Sequence, residues 1–263
     1  MTATQPSRNI IVTGSARGIG KAIALRLAED GHNIVVNDTE ANRHALNDVA
    51  AAIRDLGRQS VAITADVTSE EQVQQMISQT VDELGSLDVM VANAGIAHVE
   101  SLLKLRMEDW DRVMDVNLRG VFICYREAAR QMIDQGNGGK IIGAASIVAY
   151  RPFALLSPYS ASKWAVRGLT QGAAMEWAKY GITVNAYCPG IVGTDMWELI
   201  DEKLAAEEGW EKGEALKTYS NAIALGRVSV PEDVAKYVSY LASSDSDYMT
   251  GQSVMIDGGI QFS

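Results

Sequence analysis

Tyr159, Lys163 and Ser146 are the residues whose types and spacing suit proton transfer at a carbon–oxygen bond. Tyr159 and Lys163 stand four apart at the start of a segment that reads as a helix. Both side chains therefore share one face, about 5–6 Å apart at Cβ. A carbonyl that accepts hydride becomes an alkoxide and needs a proton, and an alcohol that gives up hydride must lose one. A phenol titrates near 10 and is a poor base at neutral pH. A fixed ammonium beside it favours the phenolate. Lowering the pKa by about 3 corresponds to roughly 4 kcal/mol, which one close cation in a partly dry cleft can supply. Ser146, just past an apolar strand, would hold a substrate oxygen near the phenol. Asn117 would bind a water that links to Lys163. Each residue also has a plain structural reading. Tyr-x3-Lys is common on helices, Ser146 suits a turn, and Asn117 is a poor helix former tolerated at a bend. Their combination with a second feature is what points to chemistry.

That feature is Thr13-Gly14-Ser15-Ala16-Arg17-Gly18-Ile19-Gly20, between the first apolar strand and the first helix. Its glycines allow a sharp turn and a close approach to a pyrophosphate, and the helix start offers free N–H groups and partial positive charge. The spacing Gly14-x3-Gly18-x-Gly20 departs from the GxGxxG of many dinucleotide folds. Asp38 ends the second strand, 18 residues after Gly20. A carboxylate there accepts hydrogen bonds from both adenosine ribose hydroxyls and repels a 2′-phosphate, which favours NAD over NADP. Arg17 argues partly the other way, as a cation near the ribose. An oxidised nicotinamide ring would add to the pull of Lys163 on the phenol. Asp66 and Val67, past the third strand, suit the adenine edge, although Asp also caps helices.

The elements that must position these groups alternate. Apolar runs at Asn9–Val12, Asn33–Val36, Ser60–Thr64, Asp88–Ala92, Lys140–Ala144, Thr183–Tyr187 and Ser253–Ile256 read as strands. Amphipathic helices lie between them, including Gly18–Glu29, Ser69–Leu84, one long helix Met107–Met132, Ser157–Lys179 and Pro231–Leu241. Strands apolar on both faces imply a parallel sheet covered on both sides, and right-handed crossovers make it doubly wound. No linker or repeat interrupts the pattern, so residues 1–263 read as one domain. Gly193–Ala222 breaks the rhythm, being charged and strandless. A substrate lid at 193–222 is the functional reading and an ordinary surface helix pair the structural one.

Of 263 residues, 47% are hydrophobic and 21% charged, enough apolar material for a packed core. The 23 basic and 33 acidic residues give a net charge of −10. With no Lys/Arg run, nucleic acid and anionic membranes are poor partners. No apolar run approaches a membrane span. The polar start, Met1–Arg8, does not read as a secretory leader. Cys124 and Cys188, in apolar contexts, read as buried thiols of a reducing compartment, which suggests a cytoplasmic protein. His32, His44 and His98 are scattered, and no Cys/His spacing suits zinc, so a metal is not expected. Ser146 has no His partner or nucleophile-elbow sequence, which disfavours acyl transfer.

Together these marks resemble the short-chain dehydrogenase/reductase family, in its branch of single-domain enzymes. Thr13-Gly14-x3-Gly18-x-Gly20, Asn93-Ala94-Gly95, Asn117, Ser146, Tyr159-x3-Lys163 and Pro189-Gly190 occur in the family's order over nearly the whole chain. Ala92, where many members carry Asn, is a mild departure. The fold class is then α/β, a single-domain Rossmann fold with a doubly wound seven-stranded parallel sheet in the order 3-2-1-4-5-6-7. The resemblance implies that Asn93, Ala94 and Gly95 steady the central strand and line the cofactor, and that Lys163 also holds the nicotinamide ribose. It implies that Pro189 to Thr194, including Gly190 and Val192, flank the carboxamide, and that the assembly is a homotetramer. Tracts such as Val166–Gln171 and Val184–Thr194 are similar to acetoin/diacetyl reductases (2,3-butanediol dehydrogenases), although they are mostly scaffold.

The segment Ile147–Phe153 with Met196 and Trp197 would line the substrate pocket. Val148, Tyr150, Phe153 and Trp197 make it mainly apolar, suited to a small uncharged ketone or alcohol, with Arg151 the one possible clamp for an anion. Two rivals stay open. One is a reductase of bulkier ketones or of 3-oxoacyl-carrier-protein, and the other a dinucleotide-sensing regulator.

Overall fold

Strands that are apolar at nearly every position have two faces to bury, and this chain buries both. In the computed structural model, which describes residues 7–262, seven strands pair in parallel in the order 3-2-1-4-5-6-7. They are β1 (Asn9–Thr13), β2 (Asn33–Asp38), β3 (Ser60–Thr64), β4 (Val89–Ala92), β5 (Gly139–Ala144), β6 (Ile182–Pro189) and β7 (Ser253–Ile256). The reading of the N-terminus as no leader lies, up to Pro6, outside the described residues.

Successive side chains of a strand point to opposite faces. Ile11, Val35, Met90 and Ile141 enter one core, under α3 (Glu70–Leu84), α5 (Gly120–Gln135) and α6 (Ser157–Trp177). Ile10, Val12, Ile34 and Val36 enter the other, under α1 (Gly18–Glu29), α2 (Arg43–Asp55) and α9 (Pro231–Ala242). The sheet order reverses between β1 and β4. Crossovers leave to opposite faces there, which opens a crevice at the carboxyl ends of the strands.

Two segments differ from the sequence expectation. The long helix is broken. α4 (Met107–Met114) passes through one π turn, Asp115–Arg119, into α5. Asn117 sits in that turn, fully buried, with its amide donating to the Ile96 carbonyl (2.9 Å) and Ser162 Oγ (3.2 Å) and its Oδ1 accepting from Ile96 N (2.8 Å). The wider turn aims Asn117 inward, and its tertiary hydrogen bonds hold a geometry that periodicity does not reveal.

The strandless segment folds as α7 (Asp195–Glu208) and α8 (Glu214–Ser220). It leaves and returns at adjacent points, where Gly193 N donates to the Ser229 carbonyl (2.9 Å) and Ser229 N to that of Ile191 (3.0 Å). The buried Asp201 of α7 accepts from Gly213 N (2.6 Å) and Leu216 N (2.7 Å), which fixes α8 to α7. Among the described residues, no helix is long and apolar enough to cross a membrane.

Candidate active site

The crevice is a cleft of about 570 Å³ running from the end of β2 across the first turn to α6 and α7. Its dinucleotide half is built by backbone approach. A Cβ on Gly20 would lie 2.2 Å from the Gly14 carbonyl oxygen, so only glycine lets α1 start against that turn. Gly18 has φ of +56°, and a Cβ there would meet nothing nearer than Thr194 Cγ2 at 3.7 Å, leaving the turn open to the cleft. No side chain caps the first turn of α1. Its free N–H groups and positive dipole end suit a diphosphate.

Asn93 ties the sheet together beneath this turn. Its Nδ2 donates to the carbonyls of Thr13 (2.8 Å) and Gly14 (3.0 Å), and its Oδ1 accepts from the Tyr187 hydroxyl (2.8 Å). At the end of β2, Asp38 is held from two sides. Oδ2 accepts from Ala16 N (3.2 Å), and Oδ1 accepts from Thr39 N (2.9 Å) and Asn42 Nδ2 (2.7 Å). These contacts orient a carboxylate that still lines the cleft. Such an arrangement fits the two hydroxyls of a ribose.

Arg17 also lines the cleft, but its Nη1 pairs with Asp195 Oδ2 at 3.1 Å, joining the turn to the start of α7. Both side chains are well exposed, so the pair is worth about 0–1 kcal/mol. Asp66 accepts from Thr68 N (2.9 Å) and Thr68 Oγ1 (2.8 Å) in a local turn and lines the cleft beside Val67; the cap of α3 is Ser69, not Asp66.

At the other end stand Ser146, Tyr159 and Lys163. Ser146 follows β5, and its hydroxyl accepts from Val148 N (3.3 Å) and lies close enough to the Tyr159 phenol to favour its ionised form. Lys163 is buried, with Nζ donating to the Ala144 carbonyl (2.8 Å) and lying 5.5 Å from the Tyr159 ring centroid. Burial pushes the Tyr159 phenol up to about 12, against the opposing pull of Ser146. Burial also pulls the Lys163 ammonium down to about 8. These directions describe the chain by itself, whereas the phenolate expected from the sequence draws on an oxidised nicotinamide ring as well as on the ammonium. Loss of water costs both charged forms more than their proximity returns, and the phenolate carries a penalty of at most about 3 kcal/mol. A neutral phenol in this position is a proton donor.

Around Tyr159 the wall is apolar. Leu156, Phe153, Met196, Trp197 and Ile200 pack with Tyr159 in one cluster, which Tyr219 of α8 joins. Leu155 adopts φ of +64°, a conformation L side chains rarely take, and its carbonyl accepts from Glu100 N (2.9 Å). That strained residue sits between Phe153 and Leu156, which both face the cleft.

The cleft brings together Gly14, Arg17, Gly18, Ile19, Gly20, Asp38, Asp66, Val67, Asn93, Ala94, Gly95, Ser146, Val148, Phe153, Tyr159, Lys163, Pro189, Gly190, Val192, Thr194 and Trp197. Two expected site residues fall outside it. Tyr150 is turned away by the short helical turn Ile147–Ala149; its hydroxyl donates to the Ser253 carbonyl and its ring lies 4.0 Å from the Arg167 guanidinium. It is not a pocket wall. Asn117 lies behind the cleft, with both N–H groups of its amide and one acceptor site of Oδ1 taken by Ile96 and Ser162. Arg151 is exposed and forms no part of the lining. Asn42, Tyr187 and Tyr219 were not foreseen. Asn42, four residues after Asp38, is the one a local spacing argument would have found.

A family model described as short chain dehydrogenase matches residues 8–205. The chain is 46% identical over 256 residues to L-2,3-butanediol dehydrogenase of Corynebacterium glutamicum, covering 97% of this chain and 99% of that protein. It is 44% identical over 257 residues to a diacetyl reductase, (S)-acetoin forming, of Staphylococcus epidermidis, with coverage of 97% and 99%. A crystal structure of a short-chain type dehydrogenase/reductase from Mycobacterium marinum superposes with a TM-score of 0.89 at 36% identity, covering 99% of this chain and 98% of that one.

Proposed function

The chain belongs to the short-chain dehydrogenase/reductase family and is an oxidoreductase of CH–OH groups, and from that premise we propose that it uses NAD(H) to interconvert small vicinal diketones, hydroxyketones and diols of the diacetyl/acetoin/2,3-butanediol type. The observation that carries the substrate reading is the apolar cluster around the Tyr159 hydroxyl, walled by Phe153, Leu156 and Trp197. Such a wall accepts an uncharged carbonyl, and none of these wall side chains pairs a carboxylate or phosphate, although Arg112 lines the same cleft. The likeness to a butanediol dehydrogenase and a diacetyl reductase supports the same class.

NAD is favoured over NADP because Asp38 presents an oriented carboxylate to the cleft, where it would repel a 2′-phosphate. When bound, the nicotinamide supplies or accepts the hydride. Gly14, Gly18 and Gly20 give its diphosphate backbone access, Asp38 takes the adenosine ribose, and Lys163 with Pro189 to Thr194 borders the nicotinamide end. In the reductive direction Ser146 hydrogen-bonds the substrate oxygen and Tyr159, a neutral phenol, delivers the proton. Lys163 keeps a positive charge behind the phenol as it gives up that proton.

The same reading extends to assembly as a homotetramer in the cytoplasm. Gly168 and Gly172 of α6 have nothing within 4 Å where a side chain would project, and Trp164 and Met175 on that helix are exposed. A closely packed α6 from a second copy fits that surface.

The deciding experiment measures kcat/KM for diacetyl, acetoin, both butanediol enantiomers and a 3-oxoacyl thioester, with NADH and NADPH (or their oxidised forms) in parallel and chiral analysis of products. Highest efficiency on the small diketone or diol with the non-phosphorylated cofactor supports the proposal. Preference for the thioester overturns the substrate class, and preference for NADPH overturns the cofactor.

A further inference from the structure

Tyr219 does not border the cleft, yet it touches two residues that do. Its ring lies 5.6 Å from that of Phe153 at 71°, an edge-to-face arrangement, and 6.5 Å from that of Trp197 at 55°. These neighbours come from different parts of the chain. Phe153 belongs to the segment after β5 and Trp197 to α7. Tyr219 is on α8, which reaches this place because Asp201 binds the backbone of Gly213 and Leu216. The ring thus wedges the two-helix insertion against the wall that carries Phe153.

Other links between the insertion and the body are weaker. Arg17–Asp195 at 3.1 Å and Lys104–Glu207 at 3.0 Å tie the two ends of α7, but at least one partner in each is well exposed and screened by water. The aromatic cluster is partly buried and packs with Leu156, Ile200 and Leu204, so it carries more of the attachment.

We propose that Tyr219 is a positioning residue that sets the size of the substrate chamber by fixing Phe153 and Trp197, and so makes this enzyme selective for short carbonyl substrates. The inference deepens the substrate reading above and rests on it for the choice of probes. An edge-to-face pair holds a ring by its quadrupole and shape rather than by a hydroxyl, so Tyr219→Phe keeps the wall in place. Tyr219→Ala leaves a void behind Phe153 and Trp197, and both then swing away from the reacting oxygen. A short diketone loses its wall, while a longer one gains room.

The test is steady-state kinetics on diacetyl, longer straight-chain vicinal diketones and a phenyl-substituted one, with NADH. Tyr219→Ala is expected to raise KM for diacetyl by about tenfold with kcat nearly unchanged, and to shift the kcat/KM ratio toward the longest substrate by about tenfold, with NADH affinity unaltered. Tyr219→Phe is expected to retain the parent's length preference. An equal loss on every substrate, or no change on any, overturns the proposal. Urea unfolding of both variants, with Tyr219→Leu as a milder truncation, identifies a folding defect, and the length ratio of the folded variant then decides. If the parent reduces no vicinal diketone, the substrate reading fails by itself. The same variants on a chain-length series of simple methyl ketones then decide the role of Tyr219, a length shift supporting it and a flat response overturning it.

Discussion

Lys163 Nζ lies 5.5 Å from the centre of the Tyr159 ring, and its hydrogen bond within the protein goes to the Ala144 carbonyl at 2.8 Å. A buried ammonium thus stands behind a partly buried phenol with no carboxylate paired to it among the described residues. The pair is costly to the fold and useful to the chemistry, since the charge is present where a phenolate would develop.

Tyr159→Phe removes the proton donor and leaves the ring. The expected outcome is a loss of turnover of about 10²–10⁴-fold or more, with NADH binding, followed by fluorescence titration, close to that of the parent. Parental rates in this variant would remove Tyr159 from the reaction.

Lys163→Met removes the charge at similar volume. Lys163 titrates at about 8 in the fold, against 10.5 when unperturbed. Between those values the unfolded chain binds more protons, so parental stability rises with pH there, and the full penalty applies below 8. Near neutral pH the variant is expected to be more stable by up to about 3 kcal/mol, the gain fading toward pH 10.5. Urea unfolding at both ends of that range measures it, and turnover should be lost throughout. A variant less stable at neutral pH would show that the Ala144 hydrogen bond outweighs the charge.

Asp38→Ala removes the oriented carboxylate. Hydrogen bonds to a charged group contribute about 1.5–3 kcal/mol each, so KM for NAD should rise tenfold or more, to about that order, and the NAD to NADP efficiency ratio should narrow. Asn42→Ala, which leaves Oδ1 of Asp38 held by Thr39 N alone, should move both quantities the same way by less. An unchanged ratio in Asp38→Ala would reject the ribose contact.

His32 is expected to contribute to the acid limb of stability. It is buried, its Nδ1 accepts from Arg8 N at 3.2 Å, and burial with the Arg8 and Arg58 charges holds it below its usual 6.5 against the opposing pull of Asp30 and Asp88. Its proton is bound more readily by the unfolded chain, so stability should fall as pH drops below about 6.5. His32→Asn keeps an acceptor without the titration. Thermal unfolding across this range should show a shallower acid slope in the variant, and identical slopes would exclude His32 as a source.

Residues whose task depends on near neighbours in the chain were legible in the sequence alone. The glycine turn, Asp38 at a strand end and Tyr159 one helical turn before Lys163 are set by strand and helix periods, and strands apolar on both faces already required a parallel sheet with two covered sides. The folded chain decided what depends on which surfaces meet. The π turn at Asn117 is held by the distant Ile96 and Ser162. Tyr150 leaves the pocket for Arg167 and Ser253. Tyr219 reaches Phe153 only because Asp201 folds one helix on another. The pKa values follow the same division, since charge proximity can be guessed from spacing, whereas the desolvation that overrides it exists only once the surrounding chain has excluded water.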